Sequence, residues 1–128
     1  MGRKKVIIVD DDTLLSKTID ICLSKRGHDV RVFYSGADAV KYLFEEKPDS
    51  VVLDIRLPDC DGWFLARLLG KLEWSQNVPI IVISVLEPNR TQVTEVRPYA
   101  YIRKPFDMGQ LVQTVEKSLG AEQSLAGA

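Results

Sequence analysis

Four short apolar runs in this chain each end on a residue able to do chemistry. Val6-Ile7-Ile8-Val9 runs into Asp10-Asp11-Asp12, and Val51-Val52-Leu53 runs into Asp54. Ile80-Ile81-Val82-Ile83 runs into Ser84, and Ala100-Tyr101-Ile102-Arg103 into Lys104. Runs of this length, rich in β-branched residues, read as strands buried on both faces. The polar residues then lie at the carboxyl ends of strands, where open parallel sheets bind ligands. Three adjacent carboxylates repel one another, more strongly when partly buried. A cation relieves this, and hard oxygen ligands suit Mg²⁺, which is typically held by one or two carboxylates plus a phosphate. Lys104 supplies a point charge that can pair with Asp54 and then with a phosphoryl oxygen. The Ser84 hydroxyl can donate to another. Cation, ammonium and hydroxyl around one carboxylate make a phosphoryl-accepting site, in which Asp54 forms an aspartyl phosphate. Taken singly, Asp54 fits equally well a strand-ending residue that caps a turn. Asp12 fits a helix cap better than a third metal ligand.

The elements between these residues alternate. Thr13 to Arg26 carries Leu14, Leu15, Ile19, Cys22 and Leu23 near helical spacing, and Gly27 ends it. Val30 and Val32 alternate as in an edge strand, with Phe33 at its end. Ser35-Gly36-Ala37-Asp38 resembles a capping box before a helix bearing Ala37, Val40, Leu43 and Phe44. Pro58 to Gly62 is turn-rich, and residues 63–72 are helical through Phe64, Leu65, Leu68, Leu69 and Leu72. Residues 85–98, β-branched and flanked by Pro88 and Pro98, predict a short or distorted helix. Asp107 opens a last helix whose face is Met108, Leu111, Val112, Val115 and Leu119, with Gly120 as its end. Residues 121–128 read as a frayed tail or the start of a linker. The pattern is (βα)5, a doubly wound parallel five-stranded sheet with helices on both faces.

Bulk properties narrow the classes. The 128 residues suit one domain, and 45% hydrophobic with 27% charged residues is an ordinary globular composition. A formal net charge of −1 gives no electrostatic case for nucleic acid or an anionic membrane. Cys22 and Cys60 have no metal or disulfide spacing, so reduced thiols are expected. No run is long enough for a membrane span or a signal segment, and the Gly2 myristoylation motif lacks Ser or Thr at Val6. The expected location is the cytoplasm.

The ordered motifs resemble the receiver domains of two-component response regulators. They are Val9-Asp10-Asp11-Asp12, then Leu53-Asp54-Ile55-Arg56-Leu57-Pro58-Asp59-Cys60-Asp61-Gly62, then Ile83-Ser84, then Tyr101-Ile102-Arg103-Lys104-Pro105-Phe106. The resemblance covers residues 4–120. It implies a flavodoxin-like strand order 2-1-3-4-5, with Asp54 as phosphoacceptor. Mg²⁺ would be held by Asp11 directly, Asp10 through water, Asp54, and the backbone carbonyl of Arg56. Ser84 would turn toward the phosphoryl group, Tyr101 would act as an aromatic switch, and Lys104 would precede a cis bond to Pro105. Gly62 would supply backbone freedom in a turn. A histidine kinase or histidine phosphotransfer protein would donate the phosphoryl group. Output to a target or a second copy would pass through the fourth helix–fifth strand–fifth helix face. Such a domain is a signalling switch with intrinsic autophosphorylation and autodephosphorylation.

Two other readings compete. A haloacid-dehalogenase-like phosphohydrolase would use Asp10 as nucleophile, with Asp10-Asp11-Asp12 as its Asp-x-Asp; Leu14 stands where its Thr or Val should be. An unphosphorylated pseudo-receiver would keep only the fold. Three features depart from the receiver pattern. Val85 replaces a small residue after Ser84, which predicts slow labelling by small donors. Arg56 and Leu86 border the path of the attacking water. Arg97-Pro98-Tyr99-Ala100 replaces the usual Gly-Ala before the fifth strand. His28 reads as a solvated turn residue, Cys60 as a plain turn residue, Tyr99 as surface packing, and Trp63 and Trp74 as packing or surface.

Overall fold

A computed structural model of the chain describes residues 3–72 and 75–127, with the backbone alone for 121–127. The readings of Gly2 and Trp74 lie outside the described residues. Ten elements alternate: β1 (Lys5–Val9), α1 (Thr13–Lys25), β2 (Asp29–Phe33), α2 (Gly36–Leu43), β3 (Ser50–Asp54), α3 (Gly62–Lys71), β4 (Ile80–Ser84), α4 (Arg90–Val96), β5 (Ala100–Arg103) and α5 (Met108–Gly127). All strand pairs are parallel, in the order β2-β1-β3-β4-β5. The parallel alternation is that expected from the pattern, and the strand order is the one the receiver resemblance implies.

The central strands are apolar along their middles because both faces are covered, and Ser50 at the start of β3 is buried with its hydroxyl 2.9 Å from that of Ser118. Ile7, Val9, Val51, Leu53 and Val82 point into one core with α2 and α3. Val6, Ile8, Val52, Ile81 and Ile83 point into the other with α1 and α5. At the edge, β2 is only half-buried.

The helix faces differ in phase from several sequence expectations. In α1 the buried residues are Ser16, Ile19 and Leu23, while Leu14 is 77% exposed. Ser16 takes the inward place because its hydroxyl donates to the Asp10 carbonyl at 3.0 Å. In α2, Ala39 and Leu43 are buried, whereas Ala37 and Phe44 are exposed. In α3, Trp63, Leu65, Ala66 and Leu69 are buried and Phe64 is exposed. Trp63 fills the inward position by volume, so its neighbour turns out.

Helix ends follow their chemistry. Asp12 caps α1, accepting from the Leu15 N–H at 3.0 Å, a contact worth about 1 kcal/mol. Gly27, at φ 91°, ends it: its N–H donates to the Ser24 carbonyl and that of His28 to the Leu23 carbonyl. Ser35 caps α2 by accepting from the Asp38 N–H at 3.2 Å. α5 runs through Gly120 to Gly127, beyond the end expected from that glycine. One glycine inside a helix costs about 1 kcal/mol, and Ala121, Glu122 and Gln123 after it favour helix. α4 is short, as expected: seven residues, none of them buried, ending at Arg97 in a left-handed conformation with φ 55°.

Candidate functional site

β1 and β3 are neighbours, with Val9 level with Leu53, so Asp10 and Asp54 leave the sheet side by side. Asp10 is 0% exposed and Asp54 6%. Lys104 arrives from the end of β5 and donates to both, at 2.8 Å to Asp10 Oδ2 and 2.8 Å to Asp54 Oδ2. The other oxygens are held by backbone: the Asp12 N–H donates to Asp10 Oδ1 at 2.9 Å and the Arg56 N–H to Asp54 Oδ1 at 3.1 Å. Asp11 is exposed, yet it, Asp10 and Asp54 bring carboxylate oxygens within 4.8 Å of one another.

Within this cluster the partners pull in opposite senses. Burial, with Asp54 nearby, pushes the Asp10 carboxyl above its ordinary value. Burial also works against the Lys104 ammonium, but hydrogen bonds to Asp10 and Asp54 outweigh it and raise the lysine. We place the proton on Lys104, because its nitrogen has two carboxylate acceptors at 2.8 Å. One ammonium among three carboxylates leaves the site with excess negative charge. These all-oxygen donors fit a hard divalent cation such as Mg²⁺.

Ser84 is fully buried, and its Oγ accepts from the Leu86 N–H at 3.0 Å. Tyr101 is half-buried; its hydroxyl donates to the Leu86 carbonyl at 2.9 Å. Its ring stacks on Trp63, with centroids 6.2 Å apart and planes at 25°. Ser84 and Tyr101 are thus joined through the backbone of one residue. The bond from Lys104 to Pro105 is cis, as expected. Gly62 is needed for space rather than for turn freedom. A Cβ there would lie 2.4 Å from the Asp54 carbonyl oxygen and 2.7 Å from Ile55 Cα.

A family model described as the response regulator receiver domain matches residues 6–116. The chain belongs to the response regulator receiver family. Solved receivers share its fold. A CheY-like receiver domain protein from Methanospirillum hungatei JF-1 superposes with TM-score 0.89 at 23% identity, covering 96% of this chain and 98% of that one. A putative response regulator from Chloroflexus aurantiacus J-10-fl gives 0.84 at 26%, covering 93% and 99%. The receiver domain of a signal transduction histidine kinase from Syntrophus aciditrophicus gives 0.83 at 24%, covering 91% and 90%. The receiver match disfavours the phosphohydrolase reading.

The sequence placed Asp10, Asp11, Asp54 and Lys104 together, and the structure brings them together. Other contacts were not anticipated. Asp59, in the turn-rich loop from Pro58 to Gly62, accepts from the Gly36 and Ala37 N–H groups at 2.8 and 2.9 Å. These hydrogen bonds, that from Gly36 first, hold its pKa below the ordinary value. His28 is not simply solvated: its side chain is largely covered, and Nε2 meets Glu116 at 3.0 Å beside Arg26. Arg103 reaches the loop after Ser84, donating to the Val85 carbonyl at 3.1 Å and to Glu87 at 2.5 Å. Arg103 stands two residues after Tyr101 on β5 and so shares its face, a spacing visible in the sequence.

Proposed function

We propose that this receiver takes a phosphoryl group from a phosphohistidine donor onto Asp54. The observation that carries the reading is the Lys104 ammonium, shared between Asp54 and Asp10 at 2.8 Å each. An Asp54 oxygen attacks phosphorus, the P–N bond of the donor breaks, and the electron pair leaves on the imidazole nitrogen. Lys104 stays beside the new acyl phosphate and neutralises an equatorial oxygen. Ser84 exchanges its bond to the Leu86 N–H for one to the phosphoryl group, and Tyr101 follows through the same residue. Asp10, Asp11, Asp54 and the Arg56 carbonyl would hold Mg²⁺, which supplies charge neutralisation during transfer.

Residues 4–120 form the phosphorylatable unit in this reading. Its partners are a histidine kinase or phosphotransfer protein and, through the α4–β5–α5 face, a target or a second copy. Intrinsic autophosphorylation and autodephosphorylation accompany the switch. Among the described residues no helix is long and apolar enough to cross a membrane. The proposed setting is the cytoplasm, without direct nucleic acid contact.

Acetyl phosphate with Mg²⁺, followed by phosphopeptide mapping, tests the reading. Label on Asp54, lost in Asp54→Asn, is expected. Label on Asp10 supports the phosphohydrolase instead. Absence of label, together with no beryllofluoride-induced spectral shift, supports an unphosphorylated docking module.

A further inference from the structure

Tyr101 and Arg103 lie two apart on β5, and both reach the loop between β4 and α4. The Tyr101 hydroxyl holds the Leu86 carbonyl; the Arg103 guanidinium holds the Val85 carbonyl and the Glu87 carboxylate. Val85 and Glu87 are exposed, so the arginine grips the loop from its outer side. Within that loop the Ser84 hydroxyl is engaged by the Leu86 N–H. Among the described residues, the hydrogen bonds on the Asp54 side chain come from Lys104 and Arg56 and none from Ser84.

We propose that Arg103 is a positioning residue, an outer latch that opposes the movement of the β4–α4 loop toward Asp54. This rests on the reading of Asp54 as phosphoacceptor. Carrying Ser84 to a phosphoryl group shifts Val85 and Glu87 with it, because they follow it directly in the chain. That shift breaks the two Arg103 contacts, and their loss is part of the free energy separating the two loop arrangements. Tyr101 moves with the loop through its bond to the Leu86 carbonyl. Arg103 holds only the loop, so its removal favours the phosphoryl-engaged arrangement. Val85, beside the groove formed by Asp12, Leu15, Lys104, Pro105, Phe106 and Met108, moves under the same latch.

The test is the affinity for beryllofluoride, a phosphoryl mimic, in the full chain with saturating Mg²⁺. Arg103→Gln is expected to tighten binding about threefold to fivefold, the size set by one exposed ion pair and one hydrogen bond. Glu87→Gln should shift binding in the same direction by less, and the double variant should match Arg103→Gln alone. Affinity for Mg²⁺ in the absence of beryllofluoride should not change, since Arg103 touches none of the three carboxylates. Arg103→Lys should restore part of the latch, through Glu87. Unchanged beryllofluoride affinity in Arg103→Gln, with the denaturation midpoint retained, overturns the latch. Weaker binding also overturns it, because Arg103 would then attract the anion. A parent chain that binds no beryllofluoride overturns the reading of Asp54 itself, a result distinct from either.

Discussion

Two loops leave the sheet beside the carboxylate cluster, one after Asp54 and one after Ser84, and they are held in opposite ways. The β3–α3 loop is fixed by backbone. Gly62 packs directly on the Asp54 carbonyl, its N–H donates to the Ile55 carbonyl at 2.7 Å, and Asp59 ties the loop to the start of α2. The β4–α4 loop is held by side chains at the surface, and the helix it enters has no fully buried residue, only Val93 and Val96 packing part-covered on the core. Backbone contact in a packed interior has few alternatives, whereas surface hydrogen bonds exchange readily with water. One loop therefore holds Asp54 in place, while the other has the more easily exchanged attachments.

Amide exchange offers the largest test of this contrast. Val52 and Leu53 in β3 should exchange at least about a thousandfold more slowly than the amides of α4, since core strands open only near global unfolding. Equal protection would erase the distinction. Next is Gly62→Ala, whose Cβ must displace backbone rather than a flexible side chain. A loss of about 1–3 kcal/mol in urea denaturation is expected, with slower labelling of a displaced Asp54. A neutral result would show that the β3–α3 loop is less rigid than its contacts imply.

Asp59→Asn probes the same loop through pH. The Asp59 pKa is lowered by the Gly36 and Ala37 N–H groups. Its contribution is therefore present above the ordinary carboxylate value and is lost as pH falls through the lowered one. The variant should be the less stable at pH 7, and the gap between its denaturation midpoint and the parent's should narrow in acid. A gap independent of pH would remove the charge from the explanation. The smallest effect belongs to α4. Arg97 ends that helix at φ 55°, so Arg97→Gly should stabilise by about 0.5–1 kcal/mol, the relief of strain less the entropy of glycine. Destabilisation would mean that the Arg97 side chain, rather than its backbone, matters at this helix end.

The legibility of the site had a physical basis. A strand buried on both faces must be apolar throughout, so its first polar residue marks its end. That rule located Asp10, Asp54 and Ser84 without coordinates, and the βα alternation placed them on one edge of the sheet. Helix faces were less legible. Leu14 and Phe64 are apolar yet exposed, because Ser16 and Trp63 occupy the inward positions.

What the sequence determined by itself was the order of the strands' ends and the chemistry they carry, since both follow from local patterning along the chain. The tertiary structure decided which groups meet across it. Asp59 reaches Gly36 across 23 positions, Lys104 bridges Asp10 across 94, and His28 meets Glu116 across 88. Trp63 lies under Tyr101, and Arg103 grips the loop after Ser84. Such contacts depend on how helices and loops settle on the sheet, where side-chain volume and hydrogen-bond geometry select among placements that sequence spacing leaves equivalent.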